Sequence, residues 1–405
     1  MRAKLTAVFW ALAIVFLTLC LVYDPSAALT SARDGLTLFM TVVFPSLFAF
    51  FVLSEIMLAL GVVHFIGVLF EPLMRPLFNV PGEGAFVLSM GLAAGYPMDA
   101  VITARFRKQG MCSRVEAERM LAFSNTADPL FIFGAVAVGM FGMPLLGKTM
   151  AIAHYIGALA VGLIFRFYRR GEEVAKPERH DLRTLFPRAI DALVKAQKED
   201  GRTFGQLLGD AVTDSVKTLA MICGFIMLFS TMVKMVEVIG LYNLVAAPFA
   251  LVFKLVGLDP SLLKSVVAGL FEIDLGALAA AQASAPLVQK VAIAGAIIAW
   301  SGLSVHGQVA SVLMGTDIRM GPYAVARLLH AVVAFVVTVF LMGASGTASL
   351  TNPILPVLGP LPSHLHTYGF WELLWRGSAA PIGLVIGLMA VGTLAVGIRR
   401  VVVRR

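Results

Sequence analysis

The sequence predicts an all-α membrane protein, a polytopic helical bundle with two inverted five-helix repeats and broken helices near the bilayer midplane. The first observation is composition: 59% of the 405 residues are hydrophobic and only 14% are charged. Soluble domains carry about a quarter charged residues, so this chain lacks the polar surface that water requires. The second observation is a series of apolar segments of helical length. The third is a shared order of polar interruptions in two stretches of the chain.

Twelve apolar segments suit roughly ten to twelve spans of about 20 residues each. The first follows Arg2 and Lys4 and is long for a signal-peptide core, which favours a retained helix. Segments 62–78 and 241–257 are short, so each is either a full span or an interfacial or re-entrant piece. The twelve segments fall at 5–22, 37–60, 62–78, 84–103, 120–141, 149–168, 215–236, 241–257, 263–280, 289–308, 322–344 and 378–398.

Basic residues set the predicted orientation, because Lys and Arg hold loops on the cytoplasmic side. Four basic clusters stand at the N-terminus, at 105–119, in the break from Arg169 and in the C-terminal tail. With all four inside, the twelve segments alternate and both termini are cytoplasmic. The net charge of +8 therefore indicates membrane orientation, with lipid as the surrounding partner, and not nucleic-acid binding.

Composition shifts divide the chain. The break is strongly charged, and its portion Leu185–Ala196 has the helical spacing of a segment that lies on the membrane surface. The predicted units are an N-terminal transmembrane helix at 1–30, a first repeat at 31–168, a cytoplasmic connector at 169–208, a second repeat at 209–344, an extracytoplasmic loop at 345–377 and a C-terminal transmembrane helix with a basic tail at 378–405.

The two repeats hold five apolar segments each, with matching interruptions. The third segment ends in a carboxylate-bearing turn, at 95–100 and at 271–276. The fourth carries a polar break, and the fifth opens with His154 or His330. By the charge count the first repeat begins outside and the second inside, which makes the repeat inverted. Inverted repeats with broken helices near the midplane recur in secondary transporters.

Carboxylates inside spans are candidate functional groups, because each costs roughly 3 kcal/mol or more at a helix centre. Asp128 and Glu272 are candidates for solute contact. Asp99 and Asp274 are candidates for binding a coupling ion, H+ or Na+. Asp99 lies only six residues before Arg105, so a position at a helix end is an equal alternative for it.

The polar breaks supply the remaining candidates. Ser124 to Pro129 is polar or small and ends in a proline, so it exposes backbone groups that membrane depth tolerates only beside a cavity or a ligand. His306 in the second break either binds solute, shuttles a proton or bonds a neighbouring carbonyl. We expect both breaks to meet at one midplane cavity. The predicted solute ligands are Tyr96, Ser124, Asn125, Thr126, Asp128, Glu272, Ser301, Ser304 and His306.

Other chemistry has no motif in the sequence. The three cysteines are scattered without a CxxC, so neither a disulfide framework nor a metal site is predicted. There is no nucleotide-binding P-loop, no HExxH and no GxSxG elbow. We therefore predict neither an enzyme nor a bound cofactor, and an ATP-driven pump would need a partner chain.

Several motifs resemble one family. Phe44-Pro45-Ser46-Leu47-Phe48, the run from Glu71 to Pro76, Pro81 to Ala85, Gly95-Tyr96-Pro97 and Ala122 to Thr126 are similar to the sporulation integral membrane protein YlbJ family. That family belongs to the nucleoside-recognition or gate group, which is distantly similar to concentrative nucleoside transporters. The resemblance implies gate-like repeats, a place in the cell membrane, in particular the outer forespore membrane, and transport of dipicolinic acid. The chain departs from the family where Met98-Asp99-Ala100-Val101 replaces small residues and a lysine.

Three readings of function follow. The first is a sporulation transporter that moves dipicolinic acid between mother cell and forespore, although a dianion meets repulsion from the carboxylates of the candidate site. Nucleoside transport is the second, since carboxylates accept hydrogen bonds from ribose hydroxyls. A non-transporting scaffold of a sporulation complex is the third, and it predicts that the polar residues of the breaks can be replaced without effect. An oligomer is compatible with all three.

Overall fold

The computed structural model describes residues 2–171 and 184–344, and every regular element in these ranges is helical. The all-α prediction is therefore confirmed. The N-terminal half contains α1 (Arg2–Tyr23), α2 (Pro25–Leu38), a π-helical turn (Phe39–Val43), α3 (Phe44–Ala59), α4 (Val62–Phe78), α5 (Gly84–Ala94), α6 (Met98–Lys108), α7 (Arg114–Ser124), a π-helix (Leu130–Met140) and α8 (Leu146–Phe165).

The C-terminal half begins with a helix in the charged connector. Its elements are α9 (Leu185–Asp200), α10 (Phe204–Val238), α11 (Tyr242–Val256), a 3-10 turn (Pro260–Leu262), α12 (Leu263–Phe271), α13 (Ile273–Gln282), α14 (Leu287–Trp300), α15 (Gly302–Val312) and α16 (Met320–Ala344). The predicted loop 345–377 and segment 378–398 lie outside the described residues.

In the described residues, fewer helices are long and apolar enough to cross a membrane than the eleven segments that hydropathy places there. Within the described ranges four are long and apolar enough: Leu146–Phe165, Phe204–Val238, Leu287–Val312 and Met320–Gly343. Two bent pairs, one in α1–α2 and one in α3–α4, raise the number to six if each pair is one span. The difference arises because several predicted segments are broken or turned within the bundle.

Segment 84–103 is a helical hairpin and not one span, which corrects the alternating topology. Helix α5 ends at Gly95, whose φ of +72° reverses the chain, and α6 starts after Pro97. The two helices run antiparallel, so Gly91 lies against both Asp99 and the carbonyl of Ser124. Both ends of the hairpin therefore return to the same end of the bundle.

The second half contains a matching hairpin in place of the predicted span 263–280. Helices α12 and α13 meet at Glu272, where the backbone is extended. Gly276 packs on the backbone of Gly269, seven residues away across the tip, and Ile297 of α14 covers both. Hydropathy reads such a hairpin as one apolar run, because it records composition and not direction.

The short helices α4 and α11 lie across opposite ends of the bundle. A bend of 81° at Gly61 turns α4 away from α3, and Arg75 near its end pairs with Glu71 and with Glu116 of α7. Glu55 near the end of α3 pairs with Arg105 of α6, so both ends of α4 are beside the loop 109–113. For 62–78 the bend at Gly61 fits a broken span or a re-entrant piece, and its place in the membrane stays a prediction.

Helix α11 lies at the end of the bundle opposite to loop 109–113. Lys264, in the first turn of α12, pairs with Glu237 of α10 at 3.2 Å. Gln289 of α14 accepts from Asp259 N at 2.8 Å and donates to Gly257 O at 3.4 Å. Both ends of α11 therefore lie beside the starts of α12 and α14, so it too crosses an end of the bundle.

The outer surface of α16 shows how the bundle meets lipid. Val325, Leu328, Val332, Val336 and Phe340 form one stripe of its face, each between 55% and 70% exposed. The opposite face buries Tyr323, Arg327, His330 and Thr338. An apolar outside and a polar inside are the reverse of a soluble helix and suit a bilayer.

Reagent labelling tests the orientation. In a cysteine-free background, Gln109→Cys and Gln197→Cys, both exposed, should react from the cytoplasm, because both lie in basic loops. Ser284→Cys, between α13 and α14 at the other end, should react only from outside. Labelling of Gln109→Cys and Gln197→Cys from opposite sides would contradict the charge-based orientation. A reporter near Ser363 should also lie outside.

Candidate functional site

The break between α7 and the π-helix is the centre of the candidate site. A capping box of Ser113 and Glu116 starts α7, and the helix stops at Ser124 because the next residues lead to Pro129. The side chains of Ser124, Asn125 and Thr126 are fully buried. Asp128 accepts a hydrogen bond from Phe131 N at 2.9 Å and so caps the π-helix.

Side chains from α8 and α16 satisfy the backbone groups that the break exposes. Arg327 donates to the carbonyl oxygens of Ala122 and Asn125. Tyr155 donates to Ala127 O at 3.1 Å, and Ala127 N donates to His154 Nε2 at 2.9 Å. Membrane depth requires this satisfaction, since no water is available there.

The predicted histidine pair lies beside this network. The rings of His154 and His330 are 4.5 Å apart, and His330 Nε2 is 2.7 Å from His154 O. A carbonyl oxygen can only accept, so His330 Nε2 donates and its Nδ1 is free to accept. Arg327 Nη1 lies 3.1 Å from that Nδ1. His154 and His330 thus connect α8 to α16 directly behind the break.

Asp99 connects the first hairpin to the break. Its carboxylate accepts from Ser124 Oγ at 3.0 Å and from Asn125 Nδ2 at 2.9 Å. Asp99 is fully buried in the first turn of α6, where the positive end of a helix favours an anion. The predicted coupling-ion candidate therefore stands at a helix end, as its alternative has it, but it is buried there and touches two predicted solute ligands.

Tyr323 brings the two polar breaks together. Its hydroxyl donates to Asn125 Oδ1 at 3.0 Å and lies 3.4 Å from Ser301 Oγ. Ser301 and Gly302 have φ of +69° and +66°, which separates α14 from α15. The His306 ring packs at 5.0 Å from the Tyr323 ring. The two breaks thus meet through Tyr323, and all three side chains are buried, so the expected cavity at this place is not open in the structure.

The tip of the second hairpin adds Glu272 to the same centre. A Cβ on Gly302 would meet Phe271 O at 2.9 Å, so the tip lies against the α14–α15 break. Glu272 is buried, and its Oε1 accepts from Ile273 N at 3.0 Å. Asp274 follows in the first turn of α13. Ser304 is fully buried and accepts from Gln308 Nε2 at 3.3 Å.

Several buried polar atoms at this centre have no hydrogen-bond partner among the described residues. Such atoms are rare in folded proteins, and each needs a reason. His306 Nδ1 bonds Gly302 O at 2.8 Å, which supports the carbonyl-bonding alternative for this nitrogen and leaves Nε2 as an acceptor. The phenol of Tyr96 is close enough to the carboxylates of Asp128, Glu272 and Asp274 for their charges to act on it. The unpartnered atoms here are Tyr96 Oη, His154 Nδ1, Glu272 Oε2, His306 Nε2 and Arg327 Nε.

Three residues of this centre are not among those predicted from the sequence: Arg327, Tyr323 and Tyr155. Arg327 carried a usable signal, since it stands inside the apolar segment 322–344 as plainly as the carboxylates stand in theirs. The two tyrosines carried none, because tyrosine is common at membrane interfaces. In the described ranges no three His, Cys, Asp or Glu side chains are grouped as metal ligands.

Ion pairs close the bundle at the end that contains loop 109–113. Arg107 makes two bonds to Asp317, at 2.7 and 2.9 Å, and these hydrogen bonds lower the pKa of Asp317. Arg319 bonds Glu118 at 2.8 and 2.9 Å and also reaches the Tyr168 hydroxyl. The loop before α16 is therefore fastened to the first half at this end.

The sequence of this chain is similar to those of known proteins. The family model for Gate, described as nucleoside recognition, matches residues 40–144, which contain the first hairpin and the first break. The chain is 44% identical over 342 residues to the sporulation integral membrane protein YlbJ of Bacillus subtilis (strain 168). That match covers 84% of this chain and 83% of the relative. No solved structure matches the chain.

Proposed function

The chain belongs to the family of the sporulation integral membrane protein YlbJ, and from that membership we propose that it transports a small polar solute. The solute that the resemblance favours is dipicolinic acid. In this proposal the protein lies in the outer forespore membrane and moves the solute between mother cell and forespore.

One observation carries the proposal. Two hairpin tips and two helix breaks meet around Asn125 and Tyr323 in the interior of an apolar bundle. Interrupted helices at membrane depth are tolerated where they line a pathway or bind a ligand, and transporters place their sites at such interruptions. A scaffold has no need for four interruptions in one place.

Half-helix ends supply the means to bind a solute. Helices α6, α13 and α15 start at this centre, so their positive N-terminal ends are directed toward it. An anion is favoured there even though carboxylates are close. Asp99 and Asp274 are the proposed sites for a coupling H+ or Na+, which would offset the charge of the solute.

Alternating access needs two related halves that move against each other, and we include the inverted repeat of 31–168 and 209–344 in the proposal. Its support is the repeated order of an end-crossing helix, a hairpin, a broken helix and a long helix, with the two hairpins opening at opposite ends. Superposition of the halves through an axis in the membrane plane is the geometric test.

Nucleoside transport is the second candidate, and a specific observation favours it. Among residues 2–171 and 184–344, Glu272 Oε2 and His306 Nε2 are acceptors without a hydrogen-bond donor, and ribose hydroxyls are donors. The description of the matching Gate model, nucleoside recognition, points the same way.

Uptake by the purified protein tests the proposal. Proteoliposomes should accumulate labelled dipicolinate under an imposed proton or sodium gradient, while protein-free liposomes should not. Accumulation of labelled nucleosides in its place would favour the second candidate. Uptake of neither, by protein that is folded in the vesicles, would contradict transport and leave the scaffold.

A further inference from the structure

Arg327 is a fully buried cation in the wall of the candidate site. It stands on the inner face of α16, and its guanidinium carbon lies 5.7 Å from the centre of the Tyr323 ring. Its hydrogen bonds go to the carbonyls of Ala122 and Asn125. These are the last carbonyls of α7, where a positive charge complements the negative end of the helix.

The charge of Arg327 has no carboxylate in direct contact among the described residues. Arg75, Arg105, Arg107 and Arg319 each form an ion pair with an acidic side chain, whereas Arg327 bonds only uncharged groups. Asp99 is near enough for its charge to act on Arg327 but does not bond it; Asn125 stands between them, accepting from Arg327 with its backbone carbonyl and donating to Asp99 with its side-chain amide. A buried charge without a paired counter-charge is costly, so its presence calls for an explanation beyond helix capping.

One edge of the guanidinium is unused. Of five N–H groups, one bonds Asn125 O, one bonds Ala122 O and one faces the accepting nitrogen of His330. Within the part of the chain that the structure describes, the Nε atom has no partner. The donors left are Nε–H and one Nη2–H, and a guanidinium can present these two nitrogens side by side to the two oxygens of a carboxylate.

We propose that Arg327 binds a carboxylate group of the transported solute through this Nε edge. The proposal rests on the transport function and narrows the substrate class to carboxylic acids. Arg327 supplies a positive charge for one carboxylate of the solute. An anionic solute can therefore bind at this centre although acidic side chains are close to it. The residue also fixes the carbonyl of Asn125, so solute contact and the geometry of the break depend on the same side chain.

A pair of competitors tests this inference in the unmodified protein. The first competitor is unlabelled dipicolinate, which is pyridine-2,6-dicarboxylate. The second is pyridine-2,6-dicarboxamide, which has the same shape but carries no carboxylates. We expect the dicarboxylate to inhibit uptake of labelled dipicolinate at least tenfold more strongly than the diamide. Equal inhibition would overturn the carboxylate assignment and leave transport itself intact. Absence of dipicolinate uptake by wild-type protein would overturn both.

Arg327→Lys then identifies the residue. Lysine keeps the charge but lacks the planar edge, so the preference for dicarboxylate over diamide should fall at least fivefold. Arg119→Lys is the matched control, in which the preference for dicarboxylate over diamide should stay as in wild type. Arg119 is also fully buried and also bonds backbone carbonyls, those of Asn79 and Tyr168, but away from the breaks. An unchanged preference in Arg327→Lys would overturn the proposal. If that variant is absent from the membrane, Arg327→Gln takes its place, and an unchanged preference for the dicarboxylate would likewise overturn the proposal.

Discussion

Gly91→Ala is expected to destabilise the protein strongly and to abolish transport. A methyl group at Gly91 would overlap the carbonyl oxygen of Ser124 and lie 3.1 Å from its carbonyl carbon. Neither atom can move without shifting the end of α7. Overpacking of a buried contact costs about 1–3 kcal/mol and more where backbone must yield. Thermal unfolding in detergent should show a lowered Tm, together with loss of uptake in proteoliposomes.

Gly224→Ala is the matched control for this prediction. Gly224 also lies inside a helix, α10, and a methyl group there meets nothing within 4 Å. Since alanine favours a helix by up to about 1 kcal/mol over glycine, Tm should stay or rise. If Gly91→Ala and Gly224→Ala unfold at the same temperature, the first hairpin does not pack on the break as described. Gly276→Ala should behave like Gly91→Ala, because its methyl group would lie 2.6 Å from Gly269 N.

Hydropathy predicted where the helices lie but not which way they run. The segments 62–78, 241–257 and 322–344 agree with α4, α11 and α16 to within two residues. Turns such as Gly95–Pro97 and Glu272 are visible in the sequence as interruptions. Whether the chain continues or reverses at an interruption depends on tertiary contacts, such as Gly91 against Asp99, which no local pattern encodes.

The helix of the second segment begins earlier than hydropathy predicts, and the sequence contains signals for this earlier start. Hydropathy places its beginning at residue 37, but α2 begins at Pro25. Asp24 caps this helix by accepting from Ala27 N at 2.9 Å, and proline stands in the first helical position. Both are ordinary helix-start signals. Hydropathy does not detect these signals, because residues 25–35 are too polar to be counted as part of a span.

The candidate site was predicted in part because polar residues inside apolar runs have few structural uses. Asn125 and Ser301 were found in this way, and both contact the Tyr323 hydroxyl. Their contact across 198 and 22 residues could not be predicted, since it depends on how α16 packs against both breaks. The role of the predicted residues as solute ligands stays a prediction.

Replacement of Asn125 by alanine is the second change with a large expected effect. It removes an uncharged amide that joins Asp99 at 2.9 Å to Tyr323 at 3.0 Å, and leaves a buried carboxylate short of one donor. A buried group left unsatisfied costs about 1–3 kcal/mol, which corresponds to roughly a 5- to 150-fold loss if it falls on solute binding. Because the solute also loses its contact with the amide, uptake should fall by more than this factor, to below detection, while the protein remains in the membrane.

Glu272→Ala should abolish uptake for a related reason, since it removes the acceptor at the second hairpin tip. Gln289→Ala is the control for both changes. Gln289 also bridges backbone groups through its amide, at 2.8 Å to Asp259 N, but at the end of the bundle away from the breaks. Uptake by Gln289→Ala should remain within about twofold of wild type, because a hydrogen bond near the surface contributes only about 1 kcal/mol to stability.

The double variant separates a transporter from a scaffold. If both breaks contact the same solute, Asn125→Ala with Glu272→Ala should be no worse than either single variant, because uptake is already lost. A scaffold instead tolerates both changes, since its function depends on outer surfaces that neither residue reaches: both side chains are buried. A double variant that is present at normal levels and accumulates dipicolinate or nucleosides normally would therefore contradict the proposed site, whatever the outcome for Arg327.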